Sequence, residues 1–209
     1  MKLFRSCSTL SLVTRHLSLV TKVAVVLVTC HLSLVTAFAQ RDYFTPEEVE
    51  LIRDAQQIDQ RIDLLVKLID RRFSAAGIDV GAAKVISKDS DTWGSLTGSR
   101  SDYLLDIKRI MQKAIDDIDN LSERPDSMVI DPNDPQKKDK KPKGFGDLFP
   151  KAVRSLAAAA TRWKPPLTTA LPATKDEKDR GSILDSIDMC DEIIASVAKL
   201  PAEVKKEKH

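Results

Sequence analysis

The sequence predicts an all-α protein, an antiparallel four-helix bundle with an N-terminal signal peptide outside the fold. Apolar residues recur at alternating steps of three and four in three separate segments, the spacing that places them on one face of a helix. No segment reads as a convincing strand. The periodic segments are separated by stretches rich in Pro, Gly, Ser, Asp or Lys, which favour turns and linkers. Helices with matching apolar seams bury them most simply against one another, as a bundle.

Residues 1–39 stand apart. They carry Lys2, Arg5, Arg15 and Lys22, no acidic residue, and then the apolar run VAVVLVTCHLSLVTAFA. Ala37-Phe38-Ala39 fits the small-x-small rule of signal peptidase, with Gln40 as the first mature residue. The expected destination is the periplasm or the medium. Two alternatives compete. The run from Val23 to Ala39 is 17 residues, borderline for an uncleaved anchor. Leu27-Val28-Thr29-Cys30 resembles a lipobox, but Thr29 is larger than the usual residue there, and lipidation would leave an apolar tail. Leu-Val-Thr occurs at 12–14, 19–21, 27–29 and 34–36, a repeat without a polar face, so it reads as duplicated coding sequence and the start codon could lie further in.

Removing the four basic residues of this segment from the total of 33 leaves 29 against 31 acidic ones, a charge of about −2. That argues against nucleic acid, whose binding needs a strong positive field. The remaining 170 residues suit one domain, expected over 40–200 with a charged tail at 201–209.

The first helix is expected over 45–76. Thr45 supplies an N-cap, Pro46 the first helical position and Glu48 the capping-box partner. Leu51, Ala55, Ile58, Ile62, Leu65 and Ile69 form its seam, widened by Ile52, Leu64, Val66 and Leu68. Lys67, Arg71 and Arg72 suit the negative end of the helix dipole. Gly77 can adopt the left-handed conformation after the last turn, letting Ile78 pack on Phe73. At 1.5 Å per residue such a helix would be about 45 Å long.

Residues 78–98 read as a structured loop with one helical turn around 82–86, Trp93 and Leu96 covering an end of the core. The second helix, 99–123, has Ser99 at its start, Asp102 three residues on, and the seam Leu104, Ile107, Met111, Ala114, Ile118 and Leu121 before Pro125. A linker over 123–146 contains four prolines and the cluster Lys137, Lys138, Lys140, Lys141 and Lys143. Its simplest reading is a solvated spacer; the functional one is a weak contact with an anionic surface.

A third helix is expected over 147–164, with Val153, Leu156, Ala157 and Ala160 inward and Trp163 near its end. Pro165-Pro166 should break or kink it before a resumption to 171. The fourth, 174–200, is assigned a Thr174 cap with Glu177 and the seam Ile183, Ile187, Cys190, Ile194 and Val197.

The chemistry these residues permit is narrow. Cys7 and Cys30 leave with the signal, so Cys190 has no partner for an intramolecular disulfide. His16 and His31 leave too, and His209 is terminal. A Ser-His-Asp arrangement therefore lacks its base, and Cys190, on an apolar seam, reads as core. Di-iron bundles need inward Glu-x-x-His pairs, which the sequence lacks. Asp59, Asp63 and Asp70, like Asp116 with Asp119 and Asp185, Asp188 with Glu192, lie beside the seams and read as solvated faces. No catalytic, cofactor-binding or metal-ligating residue is assigned, and no cofactor.

The run ELIRDAQQIDQRIDLLVKLIDRR, the DTWGSL at 91–96, the second amphipathic helix and FPKAVRSLAAAATRW together resemble a group of uncharacterised secreted helical proteins of environmental bacteria, especially acidobacteria. The resemblance spans most of 44–200. The glycine- and serine-rich GSLTGSR and the Pro165-Pro166 pair depart from its pattern. It implies an exported helical bundle and supplies no activity.

The expectation is an exported, non-enzymatic bundle that acts as an envelope interaction or structural protein, its partner an unidentified protein or envelope component. Two alternatives stay open: a ligand- or metal-binding bundle with enzymatic activity, and a membrane-surface protein acting through the lysine linker.

Overall fold

The computed structural model describes residues 41–81, 90–127 and 144–200, and the compact unit begins at Tyr43. It is all-helical. The principal helices are α1 (Pro46–Asp54), α2 (Ile58–Ala75), α3 (Arg100–Glu123), α4 (Phe145–Ala173) and α5 (Glu177–Ser196). Single turns occur at Ser90–Trp93, Pro125–Ser127 and Val197–Lys199. Among the described residues no helix is long and apolar enough to cross a membrane.

The first expected helix is two helices. Its capping box forms as the sequence requires: Glu48 N–H donates to Thr45 Oγ1 at 3.2 Å, and Thr45 N–H to Glu48 Oε2 at 3.0 Å. The helix then stops at Asp54. Ala55 takes φ −76° and ψ 74°, and Gln57 caps α2 with an extended backbone. The break turns the chain back on itself. A continuous helix would hold Glu48 about 35 Å from Arg71, at 1.5 Å for each of the intervening residues. The two side chains instead meet at 2.6 Å, so α1 folds back along α2. Arg61 Nε donates to the Ala55 carbonyl at 2.9 Å, occupying an acceptor freed by the break. The far end of α2 closes as the sequence indicates. Gly77 has φ +73°, and Ile78 N–H reaches Phe73 O at 2.9 Å.

The second helix matches its expected bounds, with Ser99 and Asp102 in a capping box. The third does not stop at Pro165-Pro166. α4 runs from Phe145 to Ala173 and contains four prolines. The proline pair deprives the carbonyls of Thr161 and Arg162 of their helical donors. Thr161 is exposed, so water can serve it, while Trp163 and Leu167 on the other face are wholly buried. Burial of two large side chains outweighs the missing bonds. The fourth helix begins later than expected. Asp176, not Thr174, is its N-cap and accepts from Asp179 N–H at 3.0 Å. Thr174 belongs to the end of α4, where its hydroxyl donates to Ala170 O. The buried face of α5 is Ile183, Ser186, Cys190 and Ile193, with Ile194 only partly covered.

α2 packs against α3 and α4, and α5 packs against the same two helices from the other side. Their directions follow from the side-chain bonds. Asp59 pairs with Lys151, Asp63 with Ser155 and Asp70 with Arg162, each partner 92 residues further on. A constant offset means that α2 and α4 run parallel. Arg100 reaches Ala76 O while Arg72 lies beside Asp106, so α2 and α3 are antiparallel. Arg180 reaches Leu171 O while Lys164 pairs with Asp191, so α4 and α5 are antiparallel as well. It follows that α3 and α5 run parallel. The expectation of antiparallel neighbours throughout is therefore corrected. The polar ladder sets the α2–α4 direction, which apolar periodicity does not encode.

The core is a single cluster. Ile62, Leu65, Leu68 and Ile69 of α2 meet Ile107, Ile110 and Met111 of α3, Ala160 and Trp163 of α4, and Ile183 and Cys190 of α5.

Candidate functional site

The residues singled out for export and surface contact, Ala37, Ala39, Gln40 and Lys137, Lys138, Lys140, Lys141 and Lys143, lie outside the described residues. So does the turn expected around 82–86. The described part contains three polar constellations, each on α2.

The deepest is at the C-terminal end of α2. Glu48 is fully buried, and its carboxylate receives Arg71 Nη1 at 2.6 Å and Arg72 Nη1 and Nη2 at 2.5 Å. Arg71 also donates to the carbonyls of Trp93 and Gly94, and Arg72 to that of Tyr43 at 2.7 Å. Asp106 Oδ2 stands 3.8 Å from Arg72 Nε, which makes no hydrogen bond. The loop carrying those carbonyls is fixed by Thr45, whose hydroxyl donates to Trp93 O at 2.8 Å. Glycine suits position 94 because its φ is +68°, a backbone conformation strained for a residue with a Cβ; a Cβ there would also displace the end of the exposed Glu47 side chain and stand 3.0 Å from Thr45 Oγ1.

The second constellation lies between α2 and α4. Trp163 is fully buried, and its indole N–H donates to Asp70 Oδ1 at 2.6 Å. Arg162 donates to Asp70 Oδ2 at 2.9 Å and to Val80 O at 3.3 Å. The third continues along the same interface: Lys151 Nζ reaches Asp59 Oδ2 and Ser155 Oγ reaches Asp63 Oδ1, both at 2.6 Å. The hydrogen bond to Asp59 raises Lys151 above its ordinary pKa; burial opposes this, and the charges of Asp59 and Asp63 add to it.

The reading of α2's acids as a water-facing stripe is thus corrected. Asp59 and Asp70 are buried and Asp63 half-buried, all turned toward α4. Asp116, Asp119, Asp185, Asp188 and Glu192 are exposed, as expected, and Asp185 pairs with Lys108 across α3 and α5.

Cys190 occupies the apolar seam and is fully buried. Burial pushes its thiol up to about 12; the charge of Asp191 adds to the shift and that of Lys164 opposes it. A thiol so held is not a nucleophile at neutral pH. Among the described residues, no three or more His, Cys, Asp or Glu side chains are grouped to hold a metal ion.

Sequence reasoning missed the burial of Glu48, Arg71 and Arg72. One signal was present. The seam Ile58, Ile62, Leu65, Ile69 steps by 4, 3 and 4, and its next step of 3 falls on Arg72. A charged residue on a core seam needs a buried counter-charge.

Comparison with family models, with curated proteins and with solved structures finds no match.

Proposed function

We propose that this is an exported, non-catalytic four-helix bundle, α2 to α5, that acts by binding as an interaction or structural protein of the cell envelope. One observation carries the non-catalytic part: of the five buried carboxylates among the described residues, Glu48, Asp59 and Asp70 accept from cationic or indole donors of the same chain and Asp106 stands beside Arg72, while Asp179, in the first turn of α5, keeps one oxygen unpaired. Groups engaged in this way hold helices together. They are not poised to exchange a proton with a substrate, which requires a reachable acid or base. Export rests on the basic, acid-free leader and the Ala37-Phe38-Ala39 pattern ahead of Gln40.

Two measurements test the reading. N-terminal sequencing of the protein recovered from the producing cell should begin at Gln40 and in the exported fraction; a protein that retains Met1 and stays with the cytosol would overturn export. Affinity capture of the mature protein from native envelope extract, read by mass spectrometry, should return one reproducible component lost on competition with untagged protein. No competed component would overturn the binding role.

A further inference from the structure

α1 is attached to the rest of the protein in an unusual way. Of its nine residues only Glu48 is buried, and that residue is an acid. Val49 is 41% exposed, and Leu51 and Ile52 are only partly covered. A surface helix ordinarily adheres through an apolar stripe. This one adheres through one carboxylate and one partly buried apolar side chain, Ile52, helped by the Thr45 hydroxyl on Trp93 O and by the partly buried Tyr43 and Phe44 ahead of it. It is not continuous with α2, because Ala55 to Gln57 interrupt the helical backbone. The interruption is the point about which α1 would turn; Arg61 holds the Ala55 carbonyl there and Gln57 is buried on the α2 side.

What Glu48 covers is specific. Arg71 and Arg72 belong to α2, which is fixed in the core by Leu68, Ile69 and Phe73. Arg71 is further held by the carbonyls of Trp93 and Gly94. Three guanidinium N–H groups therefore converge on the two oxygens of one carboxylate at 2.5 to 2.6 Å. Planar forks of this kind recognise carboxylate and phosphate oxygens. Arg72 is also 99% removed from solvent, and its Nε still lacks a hydrogen-bond acceptor.

We propose that residues 43–54 are a displaceable strap and that Arg71 and Arg72 beneath it form an oxyanion site, occupied by Glu48 when the strap is closed. An oxyanion supplied in trans, a carboxylate or a phosphate, takes the place of Glu48 and holds the strap open. The inference does not depend on where the protein resides or on the identity of its partner.

Hydrogen exchange on the purified protein tests it, in chloride, acetate and inorganic phosphate at one pH and one ionic strength. Amides of Glu50 to Asp54 should exchange at least about a hundredfold faster than those of Ile107 to Ala114, because the strap opens without the core. Acetate or phosphate should speed the strap amides by at least about threefold and leave the α3 amides unchanged, since an anion that binds only the open form shifts the equilibrium toward it. Acceleration by acetate identifies a carboxylate as the ligand, and acceleration by phosphate alone a phosphate. Strap amides as slow as those of α3, or insensitive to both anions, would overturn the proposal. In Glu48→Gln, strap exchange should rise by at least about tenfold without change in α3. An equal rise across both helices would show that α1 is part of the cooperative core and end the idea.

Discussion

Replacing Asp70 by Ala removes the acceptor at the centre of the α2–α4 interface. Two losses follow. The indole N–H of Trp163, in a fully buried ring, is left without a partner, which costs about 1–3 kcal/mol. The ion pair with Arg162 is also lost, but that side chain is 32% exposed, so it contributes about 0–1 kcal/mol. The total is about 1–4 kcal/mol. For a unit of this size that lowers Tm by about 2–16 °C. Asp70→Asn keeps an acceptor for the indole and should cost only about 1 kcal/mol. Urea unfolding followed by circular dichroism gives both values, and the slope with denaturant should not change. The partner can be isolated with Trp163→Phe, which removes the donor. In that background Asp70→Ala should cost about 1 kcal/mol, the remainder being the coupling between the two groups. A cost below about 1 kcal/mol in the wild-type background, or an equal cost in both, would refute the assignment of Asp70 as the acceptor for a buried indole.

Three further outcomes follow from the same structure. Gly94→Ala should destabilise by about 1–2 kcal/mol, since it forces a left-handed backbone on a residue with a Cβ; denaturant unfolding no different from wild type would contradict this. Cys190 should not react with a thiol reagent at pH 8 until the protein is unfolded, and then should react stoichiometrically, its thiol being buried and raised to about 12. Lys151 has its pKa raised in the folded state, so its contribution is complete below 10.5 and is lost as pH rises through the folded value. Lys151→Met should lack that part of the alkaline loss seen by the native chain, and superimposable pH–stability curves would remove Asp59 as its partner.

Much of the helical structure was written plainly in the chain. Thr45 with Glu48, Ser99 with Asp102, and Gly77 are local signals, and local hydrogen bonds decide them. The seams of α2 and α3 were legible because apolar burial repeats with the helix period. Three features were not. The break at 55–57 carries no Gly or Pro; it is set by Glu48 meeting Arg71 and Arg72, a contact distant in sequence. Continuity through Pro165-Pro166 is decided by tertiary burial of Trp163 and Leu167, which overrides local propensity. The direction of α4 against α2 depends on polar residues beside the seams. Asp59, Asp63 and Asp70 are spaced by 4 and 7, and so are Lys151, Ser155 and Arg162. That correspondence becomes meaningful only once the two helices are known to be neighbours, and a single sequence does not show which helices are. The same blindness made buried acids look solvated, because an acid beside a seam faces water or a neighbouring helix according to how many neighbours there are.

Zero-length carbodiimide cross-linking of the unmodified protein, mapped by mass spectrometry, tests most directly the claim that α2's acids join it to a parallel α4. The reagent links an amine only to a carboxylate in contact with it. Lys151 should be joined to Asp59, with Lys108 to Asp185 and Lys164 to Asp191 confirming the other pairings. A link from Lys151 to Asp70 in place of Asp59 would reverse the helix direction, and no link from Lys151 to α2 would return those acids to the solvent.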